Sequence, residues 1–392
     1  MAQEKVFDIL VCGGGLAGLT AAFTLAEAGN SVCICASGSN VQDKRTTALL
    51  SHSVEFFRRM GIWEHVADKA HPLKIMRLVD GTNRLFRIQQ ADFRSSDIDL
   101  DAFGYNVRNR DVLVLLNEKI AAHPSIEVVT GTIDALEISQ DNQITAQVSK
   151  PDNSADNVHA RFIVGADGRN SVVRAHFGHG ERSWSYPQMA IVVDFDHEYA
   201  SNYTSTEFHT ETGPFTIVPH SQNSAGLVWL ETFEAAERIN VMGKEELNTV
   251  LEEKMQSFLG KISVKESVQV FPMTGLIARR FGDRFHALIG EAAHVFPPIG
   301  AQGFNLGIRD IESLVNVMSR YTSAENRGDE YHKARSVDVN SRTIGVDLLN
   351  RSLLSPFMPV QMIRSAGIYA LNNLPSLRKS AMRLGMSPII HG

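Results

Sequence analysis

The opening of this chain limits its fold more than any later stretch. Residues 6–12 (VFDILVC) form an apolar run closed by glycines, the pattern of a strand buried on both faces of a parallel sheet. Residues 16–28, rich in Ala and Leu and stopped by Gly29 and Asn30, read as a helix, and residues 32–35 as a second buried strand. Between the first strand and the helix stands Gly13-Gly14-Gly15-Leu16-Ala17-Gly18, a G-x-G-x-x-G turn. Gly13 permits the tight turn, Gly15 lets backbone approach a pyrophosphate, and Gly18 lets the helix pack on the strand. The unpaired amides at the helix start, around Leu16 and Ala17, offer hydrogen bonds and partial positive charge to phosphates. This β-α-β unit predicts an α/β protein with a dinucleotide site. An acidic residue usually ends the second strand to hold a ribose hydroxyl; here Ala36 and Ser37 stand there, and Asp43 is a candidate substitute.

At 392 residues the chain exceeds a single core, and 43% hydrophobic with 21% charged residues is ordinary for a globular protein. A net charge of −6 argues against nucleic acid as a partner, because phosphate contacts need a basic surface. The charge is unevenly spread. Residues 333–392 carry eight basic and two acidic side chains, a net +6, which leaves −12 for the rest. The three cysteines, Cys12, Cys33 and Cys35, lack zinc or C-x-x-C spacing and read as buried thiols in a reducing compartment. The polar start shows no signal peptide, and no apolar run approaches the ~20 residues of a spanning helix. A cytoplasmic protein, at most peripheral to a membrane, is expected.

Farther along, a helix follows Asn109, a candidate N-cap, with Val112, Leu113, Leu116 and Ile120 on its apolar side. Strand-like segments at 126–130, 132–138 and 144–149 include an Asp141-Asn142 turn, and 162–165 is a short buried strand. From about 185 to 271 the texture changes to alternating, aromatic-bearing strands, the pattern of an antiparallel sheet. Its Phe195, Phe208, Phe215 and Trp229 read as core, with the lining of a substrate cavity as the alternative. Beyond about 329 the chain reads as helical.

Two later motifs carry chemistry. Gly165-Ala166-Asp167-Gly168-Arg169-Asn170-Ser171-Val172-Val173-Arg174 ends a strand in an Asp-Gly turn before a basic helix start; Asp167 alone could be a turn or cap residue. Gly290-Glu291-Ala292-Ala293-His294 brings a carboxylate to a strand end. A loop from Pro297 through Gly300, Gln302 and Gly303 then leads to Asn305 and Asp310, aiming a helix N-terminus whose amides can stabilise an anion.

In this order the motifs resemble those of the class A FAD-dependent aromatic hydroxylases, most of all the branch that hydroxylates polyprenyl phenols in ubiquinone biosynthesis. Lys44-Arg45-Thr46-Thr47-Ala48-Leu49 looks like that family's R-x-x-A-L segment, and Gly104-Tyr105-Asn106-Val107 like its G-Y-x-V entry to a helix. The tail ending in Met382-Arg383-Leu384-Gly385-Met386 fits the same branch. The resemblance implies a doubly wound Rossmann-like FAD domain (1–72, 101–180 and 272–330), an inserted antiparallel substrate sheet (73–100 and 181–271) and a helical C-terminal region (331–392). It implies that Gly13, Gly15 and Gly18 cradle the FAD pyrophosphate, that Arg45 and Asn109 contact phosphate or ribose, and that Asp167 serves the pyrophosphate motif. Glu291 stands where the family usually has a ribityl-binding Asp, and Gly300, Gln302 and Gly303 would lie along the flavin ring, with Asn305 in the same motif.

The implied reaction uses NAD(P)H to reduce the flavin and O2 to hydroxylate a phenolic, polyprenylated ring; the cofactor carries that chemistry. No metal ligand set and no catalytic base are assigned. His294 reads as a support for its motif and His220 as a surface residue, each with a role at the ring as the alternative. A hydroxylase of small aromatic acids and a non-catalytic FAD-binding component of a biosynthetic complex are the competing readings. A halogenase is disfavoured, because no W-x-W-x-I-P surrounds Trp229. The basic, Leu- and Met-bearing tail either packs on the acidic body or touches an anionic membrane surface. Association with other ubiquinone-biosynthesis proteins is a further expectation.

Overall fold

The computed structural model describes residues 5–38, 43, 45–82, 90–297, 302–320, 326–354, 367, 369–371 and 373–386. Val6–Cys12 forms the centre of a parallel sheet, which explains its unbroken apolar run. Val32–Ala36 pairs on one side and Ala155–Gly165 on the other, and Ile126–Thr130 and His286–Leu288 extend the sheet outward, all parallel. Ala155–Gly165 is longer than the buried run at its end suggests. Its first half is largely exposed and holds the antiparallel hairpin Thr132–Ile138 and Ile144–Ser149, so it carries no apolar signature. Asn142, at the hairpin turn, adopts the left-handed conformation that Asn tolerates. Helix Leu16–Glu27 packs against Asn109–Ala122 and Gln302–Arg320.

Asn109 is not the N-cap of its helix. Arg108 occupies that position without a capping side chain, and Asn109, the first helical residue, is buried. A small three-stranded sheet of Thr46–Leu50, Gly104–Arg108 and His71–Leu73 leads into this helix. Gly104 is required there, because a Cβ would meet the Leu49 carbonyl oxygen at 2.1 Å.

A nine-stranded sheet contains, in spatial order, Gln269–Ala278, Glu181–His197, Ser224–Glu231, Gly213–Pro219, Thr204–Thr210, Ile75–Asp80 and Gln90–Arg94, with two short strands attached. Pairing is antiparallel except between Thr204–Thr210 and Ile75–Asp80. One face is closed by helices Phe233–Asn240 and Lys244–Lys254 over Ile191, Phe195, Phe208, Phe215 and Trp229. The four aromatic residues are therefore buried core. Strand alternation turns Val192, Asp194, Thr216, Val218, Gly226 and Val228 to the opposite face, where they are half-buried.

The C-terminal helices Arg327–Leu354 and Pro375–Met386 account for much of the uneven charge. Arg335 pairs with Asp310 and Asp338, Arg342 with Asp338, Arg351 with Asp347, Arg378 with Asp97 and Arg383 with Asp99. Arg335, Asp310 and Asp338 are buried, so part of the tail's positive charge neutralises acids inside the molecule. Among the described residues no helix is long and apolar enough to cross a membrane.

Candidate active site

The three motifs meet at the carboxyl ends of the parallel strands, where open α/β sheets bind ligands. Gly13 takes φ +114°, donates its N–H to the Cys35 carbonyl (2.8 Å), and leaves no room for a Cβ, which would lie 2.3 Å from the Ala166 oxygen. Gly18 is equally constrained: its Cβ would meet the Gly13 oxygen at 1.9 Å. These two glycines are explained by packing alone.

Gly15 is not. Nothing lies within 4 Å of where its Cβ would be, and its φ of −80° suits any residue. It is the N-cap of helix Leu16–Glu27, which has no side-chain cap and no acidic residue in its first turn. The orphan amides of that turn, with Leu16 and Ala17 beside them, face outward for a ligand. Gly303, in the first turn of Gln302–Arg320, has the same open surroundings. Gly300 lies outside the described residues, as does the side chain of Gln302.

Ser171 caps the next helix, and Asp167 folds back onto its first turn: Asp167 Oδ2 accepts from the Val172 (2.7 Å) and Val173 (3.2 Å) amides. Its Oδ1 is buried without a hydrogen-bond partner among the described residues, so the turn role does not use the whole carboxylate. Arg174, the last residue of this motif and one without an assigned role, is buried and stitches two motifs together. Its guanidinium donates to the Arg169 and Ala292 carbonyls and pairs with Glu181.

Gly290, at φ +57°, turns the third motif onto the first; its Cβ would lie 3.1 Å from the Ala17 methyl. Glu291 is exposed at this turn and close enough to Arg45 to act on its guanidinium. Arg45 and Asn109 form one cluster through Asp43. The Asp43 carboxylate accepts from the Arg45 amide and guanidinium (3.0, 2.9 and 2.8 Å) and from the Asn109 amide (3.0 Å). Burial would raise this carboxyl, but these bonds hold it below the ordinary range. Thr47 donates to Asn109 Oδ1 at 2.7 Å. Asp43 is thus committed to Arg45 and Asn109, which leaves the missing strand-end acid at Ala36 without a replacement from this carboxylate.

Asn305 holds helix Gln302–Arg320 against strand Thr46–Leu50: Nδ2 donates to the Ala48 carbonyl (2.8 Å) and Oδ1 accepts from the Leu50 amide (2.9 Å). His294 is buried, stacks on Phe296 and hydrogen-bonds Asp310 through Nε2 (2.7 Å). Asp310 also accepts from the Gly290 amide (3.0 Å) and from Arg335 Nε (2.8 Å). Burial alone would raise this carboxyl, but His294 and Arg335 keep it below the ordinary carboxylate range. His294 therefore supports its motif. His220 is not a surface residue: its side chain is 6% exposed.

The open glycines and the uncapped helix start fit the pyrophosphate of FAD, and the orphaned Asp167 oxygen, an acceptor, fits one of its hydroxyl groups. A family model described as FAD binding domain matches residues 6–341. The ubiquinone hydroxylase UbiL of Rhodospirillum rubrum is 30% identical, covering 98% of this chain and 91% of that protein. The 3-demethoxyubiquinol 3-hydroxylase of Escherichia coli is 25% identical, covering 97% and 98%. Among solved structures, p-nitrophenol 4-monooxygenase of Pseudomonas putida superposes with a TM-score of 0.80 at 16% identity, covering 99% of this chain and all of that one. A probable FAD-dependent monooxygenase of Pseudomonas aeruginosa gives 0.77 at 22% identity, covering 93% and 100%. The chain belongs to the FAD-binding-domain family, as an FAD-dependent monooxygenase of the class A aromatic hydroxylases.

Proposed function

We propose that this protein hydroxylates the ring of a polyprenylated phenol on the way to ubiquinone, with NAD(P)H and O2 as co-substrates. The observation that carries the reading is the end-to-end match to a ubiquinone hydroxylase. Bound FAD supplies the reduction and oxygen chemistry. The protein's own part is to hold the pyrophosphate at Gly13, Gly15, Leu16, Ala17 and Gly18, with Asp167, Arg45 and Asn109 nearby. Glu291 then binds the ribityl chain, and Gly300, Gln302, Gly303 and Asn305 shape the ring side. In this reading the cofactor part comprises 1–72, 101–180 and 272–330, the substrate part 73–100 and 181–271, and residues 331–392 a helical C-terminal region. The quinone profile of a strain lacking this gene tests the function. A precursor short of one ring hydroxyl should accumulate, and an unchanged ubiquinone pool overturns the reading.

The reading extends to peripheral contact of the C-terminal helices with the membrane that holds such a substrate, and to association with other ubiquinone-biosynthesis proteins. Exposed Tyr369, Leu374 and Leu377 beside Lys379 support the first. Flotation with anionic vesicles, with and without residues 355–392, tests it; equal binding by both forms removes it. Co-purification of a tagged chain tests the second, and recovery of the chain without any other ubiquinone-biosynthesis enzyme removes that.

A further inference from the structure

The face of the nine-stranded sheet turned away from its helices carries a polar pair that the cofactor site does not use. In register, Val192 stands opposite Val228, which faces Thr216; two residues along, Asp194 stands opposite Gly226, which faces Val218. His220, one residue beyond strand Gly213–Pro219, folds its imidazole back over Gly226. A Cβ at 226 would lie 2.7 Å from His220 Nε2 and 3.1 Å from Asp194 Oδ1. The glycine is what lets ring and carboxylate approach, to 4.0 Å.

The pair also stands at the seam with the cofactor side. His220 Nε2 is 3.4 Å from Thr46 Oγ1, and Thr46 follows Arg45 in the strand that Asn305 ties to helix Gln302–Arg320. The carboxylate of Asp194, 38% exposed, makes no side-chain hydrogen bond among the described residues. Arg108, Lys265, His71 and Glu266 are the charged or titratable neighbours of the pair, and the Lys265 ammonium is bonded to Asp196 and Ser224. Burial, reinforced by Arg108 and Lys265, pushes the imidazole down to about 4, so at neutral pH it is uncharged, with one donor and one acceptor. Beside them Val192, Val218 and Val228 form an apolar lane.

We infer that Asp194 and His220 receive the ring hydroxyl of the phenolic substrate while the valines carry its hydrocarbon, an assignment that rests on the function proposed above. A carboxylate at this position accepts from a phenol and sets a like charge against an aromatic acid, so the pair selects phenols.

The test is titration of the FAD-loaded protein with 2-prenylphenol and with its methyl ether, read as perturbation of the flavin absorbance. The natural protein should bind the phenol about tenfold tighter than the ether, as a hydrogen bond to a charged group allows. Asp194→Val and His220→Leu should bring that ratio close to one, with FAD content unchanged. Asp194→Asn and His220→Gln, closer in shape, should narrow it in the same direction and serve if the first two fail to fold. Variants that keep the natural ratio, or that weaken both ligands equally, overturn this assignment alone when the natural protein still hydroxylates the phenol. A natural protein that binds neither ligand overturns the proposed function with it.

Discussion

At the scale of single residues, the glycines of the first motif separate into two physical kinds. Gly13 and Gly18 are dictated by backbone approach inside the protein, whereas Gly15 is dictated by nothing in the chain itself. Gly18→Ala should therefore destabilise the fold by about 1–3 kcal/mol, the usual cost of overpacking, and lower the urea midpoint. Gly15→Val should cost the FAD-free protein no more than the loss of a favourable N-cap residue, about 1 kcal/mol, and weaken FAD at least about tenfold, roughly 1.4 kcal/mol, by filling the space a phosphate needs. Equilibrium unfolding and FAD fluorescence titration on both variants check this. An intact FAD affinity in Gly15→Val would count against the cradle. From sequence alone these positions look alike, since the motif names the residues but not which neighbour excludes a side chain.

At the scale of elements, the β-α-β unit was legible because its strands are buried on both faces and so carry continuous apolar runs. The helix after residue 108 was legible for its apolar stripe, but the role of Asn109 was not. A polar residue at a helix start resembles a cap, and only the fold brings Asp43 and Thr47 to its amide. His220 escaped for a similar reason: its burial comes from Gly226, a residue whose lack of side chain is silent in a pattern. The buried clamp from the tail helix to the third motif was equally invisible, because Arg335 and Asp310 are 25 residues apart and look like ordinary surface charges. Asp310→Asn leaves the buried Arg335 guanidinium with Asp338 as its remaining carboxylate, so it should cost about 1–3 kcal/mol, the usual loss of a hydrogen bond to a charged group. The folded-state carboxyl titrates below the unfolded value of 3.8, so its contribution is fully present above that value and is lost as pH falls through the lower, folded one. Urea midpoints measured down to about pH 3 should fall for the natural protein and fall less steeply for Asp310→Asn. Parallel acid limbs would show that this carboxylate is not held low.

At the scale of the whole molecule, the chain joins a parallel sheet that gathers three motifs at its strand ends with a large sheet that presents a half-buried face. The uneven charge, −12 for the body and +6 for the tail, has an internal explanation in the pairs that Arg335, Arg342, Arg378 and Arg383 make with acids of body and tail. The net balance still speaks against nucleic acid. The proposed chemistry joins the two sheets, with FAD at the strand ends and a phenol on the sheet face. It is tested most directly by following NAD(P)H oxidation by the purified, FAD-loaded protein with and without a prenylated phenol, and weighing the product by mass spectrometry. The phenol should stimulate oxidation and be recovered as a product heavier by one oxygen atom. Oxidation at the same rate without the phenol, and recovery of the phenol unchanged, would contradict it.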